Sequence, residues 1–195
     1  NFVKLLPFAS NVFDALETEI LSVIPKNKII TPDDVRGEFS TLNLAVTKRG
    51  WPDLKDARGK LLLVLDEGGQ KKDTYLAGHH SLKGRLMFVS SPPGSPEAAF
   101  MVMNDPIKDQ DSIINLVKSG YLVRTRADAG TTEARLGDYK RFEYALSSGA
   151  HFISTDYYKE DETLGNGYKI QLPEVKIARC NPILSINGCI VEELE

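Results

Sequence analysis

The sequence predicts an α/β protein in which parallel strands alternate with helices, and two observations carry that reading. Five short apolar runs each end in polar, chemically useful residues, and stretches of helical periodicity separate several of them. At the amino end, Val12, Phe13, Leu16, Ile20, Val23 and Ile24 recur at three- and four-residue steps, with Ser10 placed to cap the helix and Pro25 to end it. Thr31-Pro32-Asp33-Asp34 reads as the start of a short second helix, and the weakly periodic stretch to Arg49 reads as an elaborated loop. Pro52 and Gly59 bracket another short helix over Asp53 to Arg58.

The strand-like runs then follow in order. Lys60 to Leu65 is nearly all apolar, as expected of a strand buried on both faces, and leads into Asp66 and Glu67. Leu86 to Val89 ends in Ser90-Ser91-Pro92, and Phe100 to Met103 ends in Asn104-Asp105-Pro106. Tyr121 to Val123 precedes Arg124-Thr125-Arg126-Ala127-Asp128, and Phe152 to Ser154 precedes Thr155-Asp156-Tyr157-Tyr158. Between them, Ile113, Ile114 and Val117 mark one helix closed by Gly120. Leu136, Tyr139 or Phe142, Ala145 and Leu146 mark another, opened by Thr131 or Thr132. In a (β/α) barrel the carboxyl ends of the strands line the active face, which is where the five polar tails fall. The pattern by itself fits an open doubly wound sheet equally well. Four or five strand units cannot close an eight-stranded barrel and would leave a sheet edge open. The expectation is therefore one domain over residues 1–195 whose barrel is completed by a segment preceding Asn1 or by another chain.

Composition excludes several functions. The charge of −3 is mixed along the chain, so no basic stripe points to nucleic acid. No stretch reaches the roughly 20 apolar residues of a membrane span. Glu67-Gly68-Gly69 has neither of the glycine spacings that cradle nucleotides, and there is no Gly-x-Ser-x-Gly nucleophile elbow. Cys180 and Cys189 flank a turn-prone Ile186-Asn187-Gly188 and could close a disulfide or remain two buried thiols. A bridge would imply a secreted or periplasmic protein.

The blocks Gly59 to Asp66, Leu82 to Phe88, Ala98 to Pro106, Gly120 to Asp128 and Ser148 to Tyr157, with Ile30 to Gly37 and Ala178 to Pro182, resemble in their order the Ca2+-dependent phosphoinositide phospholipase C family. The resemblance implies the C-terminal portion of a (β/α) TIM-type barrel acting on a phosphoinositide or another phosphodiester, with Ca2+ as cofactor. It also implies two histidines serving as general base and general acid. In the wider superfamily those histidines and most metal ligands come from the first strands, which have no counterpart in this chain.

Arg124 and Arg126 alternate on one strand end and share a side, and guanidinium forks suit phosphate oxygens. The resemblance places a head-group arginine at Arg124 first and Arg126 second; the alternative is a structural pair with Asp128 or Asp156. Asp66 and Glu67 could accept inositol hydroxyls or touch a metal, or be solvated. Ser90, Ser91, Asn104 and Asp105 could bond a sugar or phosphate, and turn chemistry explains them nearly as well. Tyr157 and Tyr158 could stack on an inositol ring or form the rim. His79 and His80 read as a loop pair, and His151 precedes a strand, on the face opposite catalysis. Competing functions are a glycerophosphodiester phosphodiesterase and a non-catalytic module that binds a phosphosugar.

Overall fold

The computed structural model describes residues 8–173, 178–185 and 189–190. The chain divides into two compact units, Asn1–Met101 and Val102–Glu195.

In the first unit, α1 (Ser10–Val23) is the amphipathic helix expected, and it stops before Pro25. Ser10 is its first helical residue and not its cap: Ala9 holds the N-cap position without a side-chain bond. Phe13 is buried and meets the Tyr75 ring edge-on at 5.1 Å, whereas Val12, Leu16 and Val23 remain exposed. Beyond it come β1 (Ile29–Ile30), α2 (Pro32–Arg36), α3 (Leu42–Lys48) and α4 (Leu54–Ala57). The short helix expected from Thr31 is α2, whereas the loop expected after it up to Arg49 contains a further helix, α3. Thr31 and Asp34 form a reciprocal capping box that starts α2, and the Thr41 hydroxyl accepts from Leu44 N–H to start α3. Val35, Leu42, Ala45 and Val46 are buried. Too few apolar residues per turn reach the core for periodicity to show so short a helix as α3.

The Lys60 to Leu65 run is divided into β2 (Leu61–Leu62) and β3 (Val64–Leu65). It is not buried on both faces: Leu61 is 47% exposed, because one side of this strand is left to solvent among the described residues. α5 (Gly69–Leu76) and a 3-10 turn at His80–Leu82 lead to β4 (Phe88–Val89). Strand β1 pairs with β2, and β3 with β4, all in parallel; Ser90 then makes a parallel bridge to Phe100 of β5 (Phe100–Val102). A buried guanidinium fixes this half. Arg85, 2% exposed, contacts Asp14 at 2.7 Å and Glu17 at 3.3 Å, donates to the Tyr75 carbonyl and lies 4.6 Å from the Tyr75 ring centroid. Glu17 also accepts from the Tyr75 hydroxyl and from Leu86 N–H. Burial and that carboxylate push the Tyr75 phenol well above its ordinary range, so it stays a donor.

In the second unit, α6 (Gln110–Lys118) buries Ile113 and Val117 and precedes β6 (Leu122–Arg126). One helix was expected around residues 131 to 146; two are found, α7 (Thr132–Leu136) and α8 (Lys140–Ser147). Gly137 ends the first in the left-handed conformation at φ 64°, which a periodicity argument passes over. Leu136 is consequently 74% exposed and off the core face, while Phe142 and Ala145 are buried. β7 (Phe152–Ser154) pairs in parallel with β6, Arg124 opposite Phe152 and Arg126 opposite Ser154. Cys180 and Cys189 are joined by a disulfide with their Cα atoms 5.9 Å apart, which removes the two-thiol alternative. Parallel strands and intervening helices are thus as expected, but no closed barrel exists among the described residues.

Candidate functional site

Along β6 burial alternates: Val123 and Thr125 are buried, and Leu122, Arg124 and Arg126 lie on the more open face. The period of two that placed both arginines together in the sequence is realised. Arg124 Nη1 donates to Asn104 Oδ1 at 2.7 Å. Arg126 Nη2 lies 3.3 Å from Asp156 Oδ2, on an Asp156 side chain that is 69% exposed. An exposed pair of this kind contributes little and exchanges its carboxylate for a phosphate at low cost. Of the two structural partners weighed for the arginines, Asp156 is engaged.

Each arginine's acceptor is held by a further charged group. Behind Asn104, Arg141 of α8 donates to the Asn104 carbonyl at 3.4 Å, to Asp105 Oδ1 at 3.1 Å and to Glu133 Oε1 at 2.7 Å. Burial opposes the charge of Glu133, but Ala129 N–H and Arg141 outweigh it and hold the carboxyl below its usual range. Behind Asp156, the fully buried Asp128 accepts from the Thr155 hydroxyl and, at 3.2 Å, from Asp156 N–H. Thr155 in turn accepts from Tyr157 N–H at 2.9 Å. These bonds fix the turn after β7. Tyr157 is half-buried with its ring edge-on to Tyr168 at 5.5 Å, so its ring is used in packing, and Tyr158 is 80% exposed. Asp105 is likewise spoken for by Arg141.

The first unit presents its own strand-end polar groups. Asp66 and Glu67 are exposed beyond β3, and Glu67 is bridged to Lys71 at 2.6 Å. Lys72 Nζ donates to the Ser90 carbonyl at 3.2 Å. Ser91 is buried, with its hydroxyl unpartnered. Sequence reasoning missed Lys71, Lys72 and Arg141: they lie on helices, and only the strand tails were read for chemistry.

None of the three histidines sits at a strand's carboxyl end. His79 Nδ1 contacts the Lys83 carbonyl at 2.8 Å, and His80 opens the following 3-10 turn. His151 lies just before β7, where its Nδ1 accepts from Val123 N–H at 3.2 Å and burial pulls its pKa down. A metal site would need several hard oxygen donors around one point. Among the described residues no three or more His, Cys, Asp or Glu side chains cluster in that way. Glu67, Asp105 and Asp156 are instead committed to Lys71, Arg141 and Arg126, and Asp128 to the Thr155–Asp156 turn. The described residues do not fit a Ca2+ site.

A family model described as phosphoinositide phospholipase C, Ca2+-dependent, matches residues 1–182. No curated protein matches the chain. Among solved structures it is similar to a Ca2+-dependent phosphatidylinositol-specific phospholipase C enzyme from Streptomyces antibioticus, at 19% identity and a TM-score of 0.52. That likeness covers 77% of this chain and 59% of the other, so the chain spans less than two thirds of that enzyme's length.

Proposed function

The chain belongs to the Ca2+-dependent phosphoinositide phospholipase C family, and from that we propose that it supplies the phosphate-binding strand ends of a phosphodiesterase acting on phosphatidylinositol-type lipids. The observation that carries this reading is the Arg124–Arg126 pair, aligned on one face of β6 and held by Asn104 and Asp156. Two guanidinium groups side by side bind and orient a phosphodiester and offset the charge that grows on its oxygens as the bond breaks. Within the second unit Tyr157 shapes the rim beside the pair, and within the first unit Asp66 and Ser90 are candidates in their own right for hydroxyls of the head group.

The acid and base are assigned to groups outside these 195 residues, since His79, His80 and His151 stand away from every strand's carboxyl end. Ca2+ belongs to the same outside part of the site. The disulfide supports a secreted or periplasmic location.

The test compares the full natural gene product with the 195-residue chain on phosphatidylinositol vesicles, with and without Ca2+. Hydrolysis should come from the full product alone and require Ca2+, and Arg124→Ala in it should lower kcat/KM by about a hundredfold. Turnover by the 195-residue chain would overturn the assignment of the acid and base. An unchanged kcat/KM in the variant would remove Arg124 from the site.

A further inference from the structure

The two strand-end arginines differ in what holds them. Arg126 meets a carboxylate, that of Asp156, whereas Arg124 Nη1 donates to a neutral amide, Asn104 Oδ1, at 2.7 Å. A carboxylate partner offsets much of a guanidinium's charge and competes with an incoming phosphate. A bond to an amide oxygen aims the guanidinium without offsetting its charge.

An acid nevertheless follows that amide in the chain. Asp105 is next to Asn104, and Arg141 engages both: its Nη1 donates to Asp105 Oδ1 at 3.1 Å and to the Asn104 carbonyl at 3.4 Å. On the preceding residue, Met103 N–H donates to the Arg124 carbonyl at 2.9 Å. The backbone of Arg124's acceptor is therefore held from the strand on one side and from α8 on the other. The same α8 side chain occupies the acid beside it.

Arg141 is itself anchored. Its Nε donates to Glu133 Oε1 at 2.7 Å, and the two side chains are 15% and 12% exposed. Burial opposes the charge of the guanidinium, but Glu133 and Asp105 outweigh it and hold the group protonated. Glu133 also accepts from Ala129 N–H at 3.0 Å, so one network ties the tail of β5 to the segment that follows β6. Supporting bonds of this kind decide whether a charged group stands where a phosphate needs it, because small displacements of a binding group cost rate steeply.

We propose that Arg141 is a positioning residue for phosphate recognition: it holds Asn104 so that Arg124 is aimed at the phosphodiester, and it keeps the Asp105 carboxylate from pairing with Arg124. The inference rests on the reading of Arg124 as a phosphate-binding group. Arg141 acts through Asn104 and Asp105, not on the substrate.

The experiment is a double-mutant cycle in the full natural gene product, with kcat/KM on phosphatidylinositol vesicles and Tm read for every variant. Arg141→Lys keeps a cation for Glu133, and with it the fold, but one ammonium cannot serve the acceptors that Nε and Nη1 reach together. It should lower kcat/KM about tenfold when Arg124 is present and less than about twofold in the Arg124→Ala background, where the group it aims is gone. Arg141→Lys/Asp105→Asn, which also removes the released acid, should recover about threefold of that loss. A loss of equal size in both backgrounds, or no loss in either, would overturn the positioning role while leaving Arg124 in the site. No recovery in the Asp105 variant would overturn the part assigned to that carboxylate. Full kcat/KM in Arg124→Ala itself would overturn the reading of Arg124 and this inference with it, so the two failures are told apart.

Discussion

His151 shows how one residue's environment sets both its role and its pH response. Its Nδ1 accepts a backbone N–H from Val123, so the ring is held unprotonated on that side, and burial lowers its pKa in the fold. In the unfolded chain it titrates near an ordinary value of about 6.5. The stabilisation from this residue is therefore complete above that pH and is lost as the pH falls through the lower, folded value, because the unfolded chain takes up the proton first. Tm should fall between pH 7.5 and pH 5, and His151→Gln, which retains an acceptor, should flatten that slope. An identical slope in the variant would place the acid sensitivity elsewhere. At the same scale, the arginine pair was legible in the sequence because strand alternation puts residues i and i+2 on one side. Arg141 was not, because its partners Glu133 and Asp105 are brought to it by a helix break and a loop.

At the scale of elements, the ion cluster on Arg85 is what fastens α1 to α5 and to the start of β4. Arg85→Met removes the guanidinium and leaves Glu17, whose side chain is 12% exposed, with its charge still buried. Loss of one partner from such a pair costs about 3 kcal/mol, measurable as a lower urea midpoint at unchanged slope. A change within about 0.5 kcal/mol would show the cluster to be replaceable by hydrophobic packing. The elements missed in the sequence share one cause. β1 has two residues and α3 has seven, too short for an apolar stripe to show, and α3 is started by a local bond from Leu44 N–H to the Thr41 hydroxyl. The 131 to 146 stretch reads as one helix because its apolar residues keep the period across Gly137, and the left-handed turn that divides it is a backbone decision.

At the scale of the whole molecule, the disulfide is the covalent constraint on the chain's carboxyl end. Closing a loop of sequence separation 9 removes unfolded-state freedom of about 2–3 kcal/mol, so reduction or Cys180→Ser should lower Tm, and an unchanged Tm would show that the bridge constrains nothing the fold uses. The sequence by itself determined the alternation of strands and helices, the polar strand ends, the arginine pair and the family, because these rest on local period and on the order of motifs. The tertiary structure alone decided which acceptor each arginine meets, that the cysteines are joined, that Glu67, Asp105, Asp128 and Asp156 are engaged elsewhere with no metal cluster among the described residues, and that a strained turn at Ser81 and Leu82 sets His80 and Lys83 beside Arg36. Those are contacts between residues distant in sequence, and no period or motif records the packing that brings them together.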